Sequence, residues 1–260
     1  MKIEIGNTKR IRIDVGLDIG PPFTNFWVRK YPDVFVLAFE PSKIALSPMF
    51  GRNSNENVNR FTSTYPNFRS DNFDLLINDQ PIKLPEINTI IFPYALTSTP
   101  WKKLNLYDTP DSGTSSLHKP LAHKILSTSE VVATTLDSIL DLVNFGSVQF
   151  IEVLKIDAQG HDIDILMGAR KYLEKIMYVQ VEYSTYGQYE SANEHFLTMD
   201  SLLRSHGFYM EQRDPRGDAI YLNRNYRELK KTIPNDYLEV MKFMESPFHY
   251  SVEDYQRFMK

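Results

Sequence analysis

The sequence contains no cysteine. That excludes disulfides, thiolate nucleophiles and cysteine-ligated metal sites, and it fits a reducing compartment. Long hydrophobic runs are also missing. Stretches such as FVLAF and TIIF fall far short of the roughly 20 apolar residues that a bilayer span needs. The first ten residues, MKIEIGNTKR, carry no apolar signal core, so secretion by that route is not expected. Neither sign of charge dominates: 29 Lys and Arg stand against 33 Asp and Glu, for a net charge of −4. The basic pieces RKY, WKK and RELKK are dispersed and read as solvated surface. Nothing here draws nucleic acid or an anionic membrane. The expectation is a cytoplasmic protein with a small-molecule partner and no membrane span.

What is present fits a sizeable core. The chain has 260 residues, 42% of them hydrophobic. RIRIDVG (10–16) alternates and turns at glycine, as a short strand does. FTNFWVRKY (23–31) reads as a helix, with Pro22 suited to its first turn. DVFVLAFEP (33–41) is a continuous apolar run and NTIIFPYAL (88–96) another, the pattern of strands buried on both faces, while FIEVLKIDAQG (150–160) reads as strand and turn and MYVQVEYS (177–184) as the next strand. VVATTLDSILDLVNFG (131–146) gives a strand and then a helix begun by Thr or Asp. DIDILMGARKYLEKI (162–176) is amphipathic at helical spacing, and EHFLTMDSLLRSHGF (194–208) is a helix closed by His-Gly. Segments near 208–212 and 219–225 suit an antiparallel hairpin at a sheet edge, and the tail from Tyr226 reads as one or two helices.

Strands alternating with helices predict an α/β fold with a mostly parallel, seven-stranded Rossmann-like sheet in a single domain spanning 1–260. Its core covers about 11–225. Residues 42–87, rich in Asn, Ser and Pro, read as an insertion or lid, with FDLLIND and PIKLP forming an added hairpin, and 226–260 as a helical tail. Ligands of such sheets bind beyond the carboxyl ends of the strands.

One such end poses a question. In RIDVGLDIGPPF, Gly16 and Gly20 shape a nucleotide-binding turn, but Pro21 and Pro22 follow and offer no N–H to phosphate. Asp18 adds negative charge. A ligand with a ribose, a positive centre and no phosphate suits this turn better, and S-adenosylmethionine is such a ligand. Glu40, at the end of the next strand, is placed to accept both ribose hydroxyls. The plainer reading is that Gly16 and Gly20 are turn glycines and Glu40 a surface carboxylate. The ordered set of strand, glycine turn, helix, strand and terminal Glu favours the first.

These stretches resemble the FkbM family of S-adenosylmethionine-dependent methyltransferases. IDVGLDIG with LAFEP is similar to the family's Asp-Val-Gly-x-Asn-x-Gly turn and its Glu-Pro strand end. LKIDAQGHDIDILMGARKYL followed by VQVEYS resembles its Leu-Lys-Ile-Asp-x-Glu/Gln-Gly stretch, Gly-Ala helix and Glu-ended strand. The resemblance implies a class I Rossmann-like fold and O-methylation of a hydroxyl on a sugar, glycan or other small molecule. By position it puts Asp14, Gly16, Asp18 and Gly20 at the methionine end of the cofactor, Glu40 at its ribose, Tyr94 and Ala95 near adenine, and Asp157 before the sulfonium and acceptor. Asp18 stands where Asn is common, and the double proline departs from the pattern. With only about ten residues ahead of the core, the lid is expected from 42–87 or the tail.

Methylating a hydroxyl calls for a base. His161, just past the Asp157 turn, is the first candidate, and a solvent-facing helix start is its plainer reading. His195 is the second. Asp157 reads equally as base or as cofactor-positioning carboxylate. Asp157 and Glu182 end adjacent strands and offer oxygen ligands to Mg²⁺, although no dense Asp cluster accompanies them, so a metal is not favoured. Asp162 and Asp164 suit a helix N-terminus better. Ser115 and Ser116 are placed to bond cofactor or acceptor, or are plain loop serines. Trp101, Tyr183 and Tyr186 offer sugar-stacking faces, with core or surface packing the plainer choice. Two other functions fit parts of the pattern: a non-catalytic S-adenosylmethionine-binding module, and an NAD-dependent Rossmann dehydrogenase, which the missing third glycine opposes.

Overall fold

The computed structural model of the chain describes residues 2–6, 8, 10–18, 21–46, 79–84, 88–183, 187–192, 195–213 and 217–245. Its strands are β1 (Ile3–Glu4), β2 (Arg10–Val15), β3 (Val34–Phe39), β4 (Ile82–Leu84), β5 (Thr89–Phe92), β6 (Ala95–Leu96), β7 (Lys102–Asp108), β8 (Ser127–Thr134), β9 (Val143–Asn144), β10 (Ile151–Ile156), β11 (Ile176–Glu182), β12 (Phe208–Arg213) and β13 (Asp218–Asn223).

Eight of them form one mixed sheet in the order β12-β13-β11-β10-β2-β3-β5-β4. The expected sheet was seven-stranded and mostly parallel. Only its centre, β11-β10-β2-β3-β5, is parallel. The expected C-terminal hairpin β12–β13 caps one side antiparallel, and β4 pairs antiparallel with β5 on the other. So the PIKLP half of the expected hairpin adds itself to the main sheet, while most of FDLLIND lies outside the described residues. A second correction concerns β8. It leaves the main sheet and joins β6 and β7 in a separate three-stranded sheet. The burial patterns explain the division. The residues of β2, β3 and β10 are nearly all buried, as strands covered on both faces must be. β7 and the first half of β8 leave alternate or consecutive residues in solvent, which suits an antiparallel pair with one open face.

Two cores lie on the two faces of the main sheet. On one, the helix Pro22–Lys30 and the C-terminal helix Tyr237–Glu245 pack Phe23, Trp27, Tyr237 and Val240 against Val36, Val153 and Leu222. On the other, the helices Leu136–Leu140, Asp162–Met167 and Phe196–Ser205 pack Leu136, Ile163, Leu166, Met199 and Leu203 against Ile11, Ile13 and Leu154. Thr135 caps the first of these, its hydroxyl accepting from the Ser138 N–H. The helix expected over 162–176 ends at Met167, with a 3₁₀ turn at Leu173–Lys175. Gly168 presses so closely on the Thr97 carbonyl that a Cβ there would lie 2.1 Å from its oxygen. The backbone turns at that contact, yet Ala169 and Leu173 still reach the core.

Candidate active site

The carboxyl ends of β2, β3 and β10 open into a cleft of about 600 Å³. Gly16 forms its sharpest corner. It holds φ +79°, and a Cβ would sit 1.9 Å from the Asp157 carbonyl oxygen. Two adjacent strand ends therefore meet at a residue that must be glycine. Asp18, also left-handed at φ 55°, turns the chain onward. Gly20 lies outside the described residues.

The helix that follows begins at Pro22, and its free N–H groups are claimed from within. Asp14 is buried, and its Oδ2 accepts from the Thr24 N–H (3.1 Å) and hydroxyl (2.6 Å). The positive helix end thus receives a carboxylate of the protein itself. Asp14 supports the turn from below and is not among the residues lining the cleft. Beside it Lys155 donates to the Gly16 carbonyl (2.7 Å) and lies 3.3 Å from Asp14 and 3.6 Å from Asp157.

Glu40, Tyr94, Ala95, Asp18, Asp157 and His161 all line the cleft. Glu40 is buried, its two oxygens accepting from the Ser42 N–H (2.8 Å) and the Asp18 N–H (3.1 Å). Burial, aided by the charge of Asp18, pushes its carboxyl up to about 7, although those N–H groups and Lys155 pull the other way. Ser42 in turn donates to Asp108 (2.6 Å), which also accepts from Ser127 (3.1 Å), tying β3 to the smaller sheet. Tyr94 meets Trp101 edge to face at 6.1 Å, and Trp101 is 57% exposed at the rim.

The carboxylates on the β10–β11 side are crowded. The Asp157 side chain is 43% exposed. Asp162 is buried and accepts from the Ala158 and Glu182 N–H groups (3.1 Å each), and burial with nearby Asp157 raises it to about 7. It therefore binds across two strand ends as well as starting its helix. Burial, then Asp157 and Asp162, raise Glu182 well above the ordinary carboxylate range. Among the described residues no group of three His, Asp or Glu is arranged to hold a metal ion.

His161 has both ring nitrogens occupied. Nε2 meets the Thr97 hydroxyl at 3.1 Å and Nδ1 meets His118 Nε2 at 3.0 Å. Burial lowers its pKa, with Asp164 opposing and His118 adding to the fall. His195 is exposed at the start of its helix and does not line the cleft. Tyr183 is buried, with Arg213 donating to its hydroxyl (2.6 Å), and does not line the cleft either. Tyr186 lies outside the described residues.

The roof comes from the loop that carries the candidate serines Ser115 and Ser116. Gly113, Ser115, Ser116 and Leu117, in the loop after β7, complete the cleft, whereas no described residue of the C-terminal tail lines it. Residues 47–78 of the expected lid lie outside the described residues. The serines bind the loop: Ser115 accepts from the Thr109 N–H, and Ser116 donates to the Gln159 carbonyl (2.6 Å). Gln159 also lines the cleft, and Tyr189 holds it from behind. Tyr189 donates to Gln159 Oε1 (2.7 Å) and to the Thr114 carbonyl (3.1 Å). Gln159 stood in a recognisable motif; Tyr189 and His118 carried no local signal at all. No helix among the described residues is long and apolar enough to cross a membrane.

Residues 14–210 match the family described as "Methyltransferase FkbM domain". Among curated proteins none matches. The antibiotic-resistance methyltransferase Kmr is similar in structure over 84% of this chain and 89% of its own, with 10% identity and a TM-score of 0.35. An "antibiotic related Methyltransferase" is similar over 92% of this chain and 84% of its own, with 12% identity and a TM-score of 0.33. Likenesses this distant add nothing to the geometry above.

Proposed function

From the premise that the chain belongs to the FkbM methyltransferase family, we propose that it is an S-adenosylmethionine-dependent O-methyltransferase acting on a hydroxyl of a small molecule, a sugar or glycan by preference. Glu40 carries the reading. Burial raises this carboxyl to about 7, it lines the cleft, and two backbone N–H groups fill only half of the lone-pair sites of a carboxylate. Two vicinal ribose hydroxyls supply what it lacks. No phosphate-bearing cofactor suits a turn whose helix end is already filled by Asp14.

Gly16 would let the methionine end approach the backbone, Asp18 and Asp157 would face its positive groups, and Tyr94 and Ala95 would wall the adenine. Gly20 belongs to this set by sequence position alone. The bound cofactor supplies an electrophilic methyl group. The protein aligns the acceptor with it and excludes water, a large part of such catalysis. Asp157 is the base best presented, being the half-exposed carboxylate of the cleft. His161 can take the proton only by releasing Thr97 or His118, and serves here to tie the roof to the sheet. His195 has no part in this reading.

Calorimetric titration with S-adenosylmethionine, S-adenosylhomocysteine and NADH tests the proposal. The first two are expected to bind and NADH is not. NADH binding alone would overturn it. Methyl transfer from labelled cofactor onto a panel of neutral sugars then separates turnover from a binding module.

A further inference from the structure

Gln159 stands at the meeting point of four elements. Its backbone is left-handed at φ 50°, a conformation that costs a glutamine something and persists only when neighbours hold it. Ser116 of the roof holds its carbonyl at 2.6 Å and Tyr189 holds Oε1 at 2.7 Å. With Oε1 accepting, Nε2 must face the other way. There it donates one hydrogen to Asp157 Oδ1 (2.8 Å) and the other to Glu182 Oε2 (2.7 Å). A nitrogen at that distance from two carboxylate oxygens sits close to where a divalent cation, with bonds of roughly 2.0–2.6 Å, would sit.

We propose that Gln159 is a positioning residue: its amide bridges Asp157 and Glu182 in the place a divalent cation would take, so that Asp157 is held in the cleft without metal. Glu182, raised by burial and by Asp157, also hydrogen-bonds Asp157, and the amide adds a donor to each of the two. Glutamate would keep the Tyr189 bond but bring a third carboxylate to the pair. Leucine would fill the space and leave both carboxylates facing each other. The inference rests on the reading that Asp157 works at the cofactor.

The test compares Gln159→Glu, Gln159→Leu and the wild type by S-adenosylhomocysteine affinity with EDTA or Mg²⁺, and by Mn²⁺ binding in electron paramagnetic resonance. Wild-type affinity is expected to be the same with either addition, with no bound Mn²⁺. Each variant should bind about tenfold more weakly or worse, as loss of hydrogen bonds to charged groups implies. Metal should restore Gln159→Glu and leave Gln159→Leu weak. Wild-type binding lost on chelation, Gln159→Glu binding normally without metal, or Gln159→Glu folded but not rescued would each overturn the proposal. If the wild type binds no S-adenosylhomocysteine, the functional reading fails by itself. The bridge is then judged by Mn²⁺: bound by Gln159→Glu but not wild type supports it, and the reverse refutes it. Should Gln159→Glu not fold, a thermal double-mutant cycle of Gln159→Leu with Glu182→Gln decides. Strong coupling supports the bridge, and additivity removes it.

Discussion

Two clusters of buried charge lie in the same sheet, and they are built on opposite terms. Toward the amino ends of β2 and β10, Arg12 is fully buried between Glu152 (2.8 Å) and Asp236 (2.6 Å), with its guanidinium over Tyr31 and Trp27. Arg10 also bonds Glu152, and Lys30 and Tyr31 bond Asp236. Burial raises the Asp236 carboxyl, but Arg12, Lys30 and Tyr31 outweigh it and leave it below its ordinary value. Toward the carboxyl ends of the same strands, Lys155 alone among the described residues is paired with Asp14 and Asp157, with further acids behind them. There Glu40 and Asp162 are raised to about 7. The first cluster balances its acids with cations and pins the C-terminal helix to β2. A cluster with surplus acid is complete only when something with donors or positive charge enters, and that end is the cleft.

Four experiments press on this contrast. The largest effect is expected from Gly16→Ala. Its Cβ would overlap the Asp157 carbonyl at 1.9 Å and its φ of +79° strains alanine. A loss of about 4 kcal/mol or more is expected, seen as failure to fold or collapse of the denaturation midpoint. Next, Arg12→Met breaks the matched cluster and leaves Asp236 and Glu152 without their buried cation. It should cost about 3–5 kcal/mol in chemical denaturation, while the folded fraction keeps wild-type cofactor affinity. A fall in affinity as large as in stability would dissolve the distinction between the two ends.

Glu40→Ala should do the reverse. We expect about tenfold or weaker binding of S-adenosylhomocysteine by calorimetry, at little cost to stability. Unchanged affinity would sink the ribose assignment.

The smallest effect is the pH dependence. Glu40 and Asp162 titrate near 7 when folded and near 4 when unfolded. The stability their raised values contribute is complete at acid pH and is lost as pH rises through 7. His161, lowered in the fold, acts in the opposite sense but only below about pH 6.5. Between pH 6.5 and 8 the empty protein should therefore lose about 1–2 kcal/mol from Glu40 and Asp162 and more again from Glu182, which burial and its acidic neighbours raise further still, several degrees of melting midpoint in all. Bound S-adenosylmethionine, being cationic, should flatten that slope. A midpoint that rises over this window would contradict the surplus-acid picture.

Much of this was readable in one dimension. The apolar runs at 34–39 and 89–92 announce strands buried on both faces and 151–156 a further strand, and those strands form the centre of the sheet. Gly16 and Glu40 were visible because a tight turn and a strand-end carboxylate are local patterns. The edge pairing of β4 and the separate sheet of β6, β7 and β8 were not. Each depends on which segment finds a free edge or face, and no local periodicity records that. His161 shows the same limit. Its place beside Asp157 was legible, but its engagement by Thr97 and by His118, 43 residues away, was not.

The sequence by itself determined the alternating α/β order, the family and the chemical types gathered at the strand ends, because these reside in local propensity and in motifs. The tertiary structure decided which of those groups are satisfied. It gave Asp14 to a helix end, occupied both nitrogens of His161, set Gln159 between Asp157 and Glu182 and buried Glu40 in the wall of the cleft. Hydrogen-bond partners and burial arise from contacts between residues distant in the chain, and they alone separate a carboxylate that supports the fold from one that awaits a ligand.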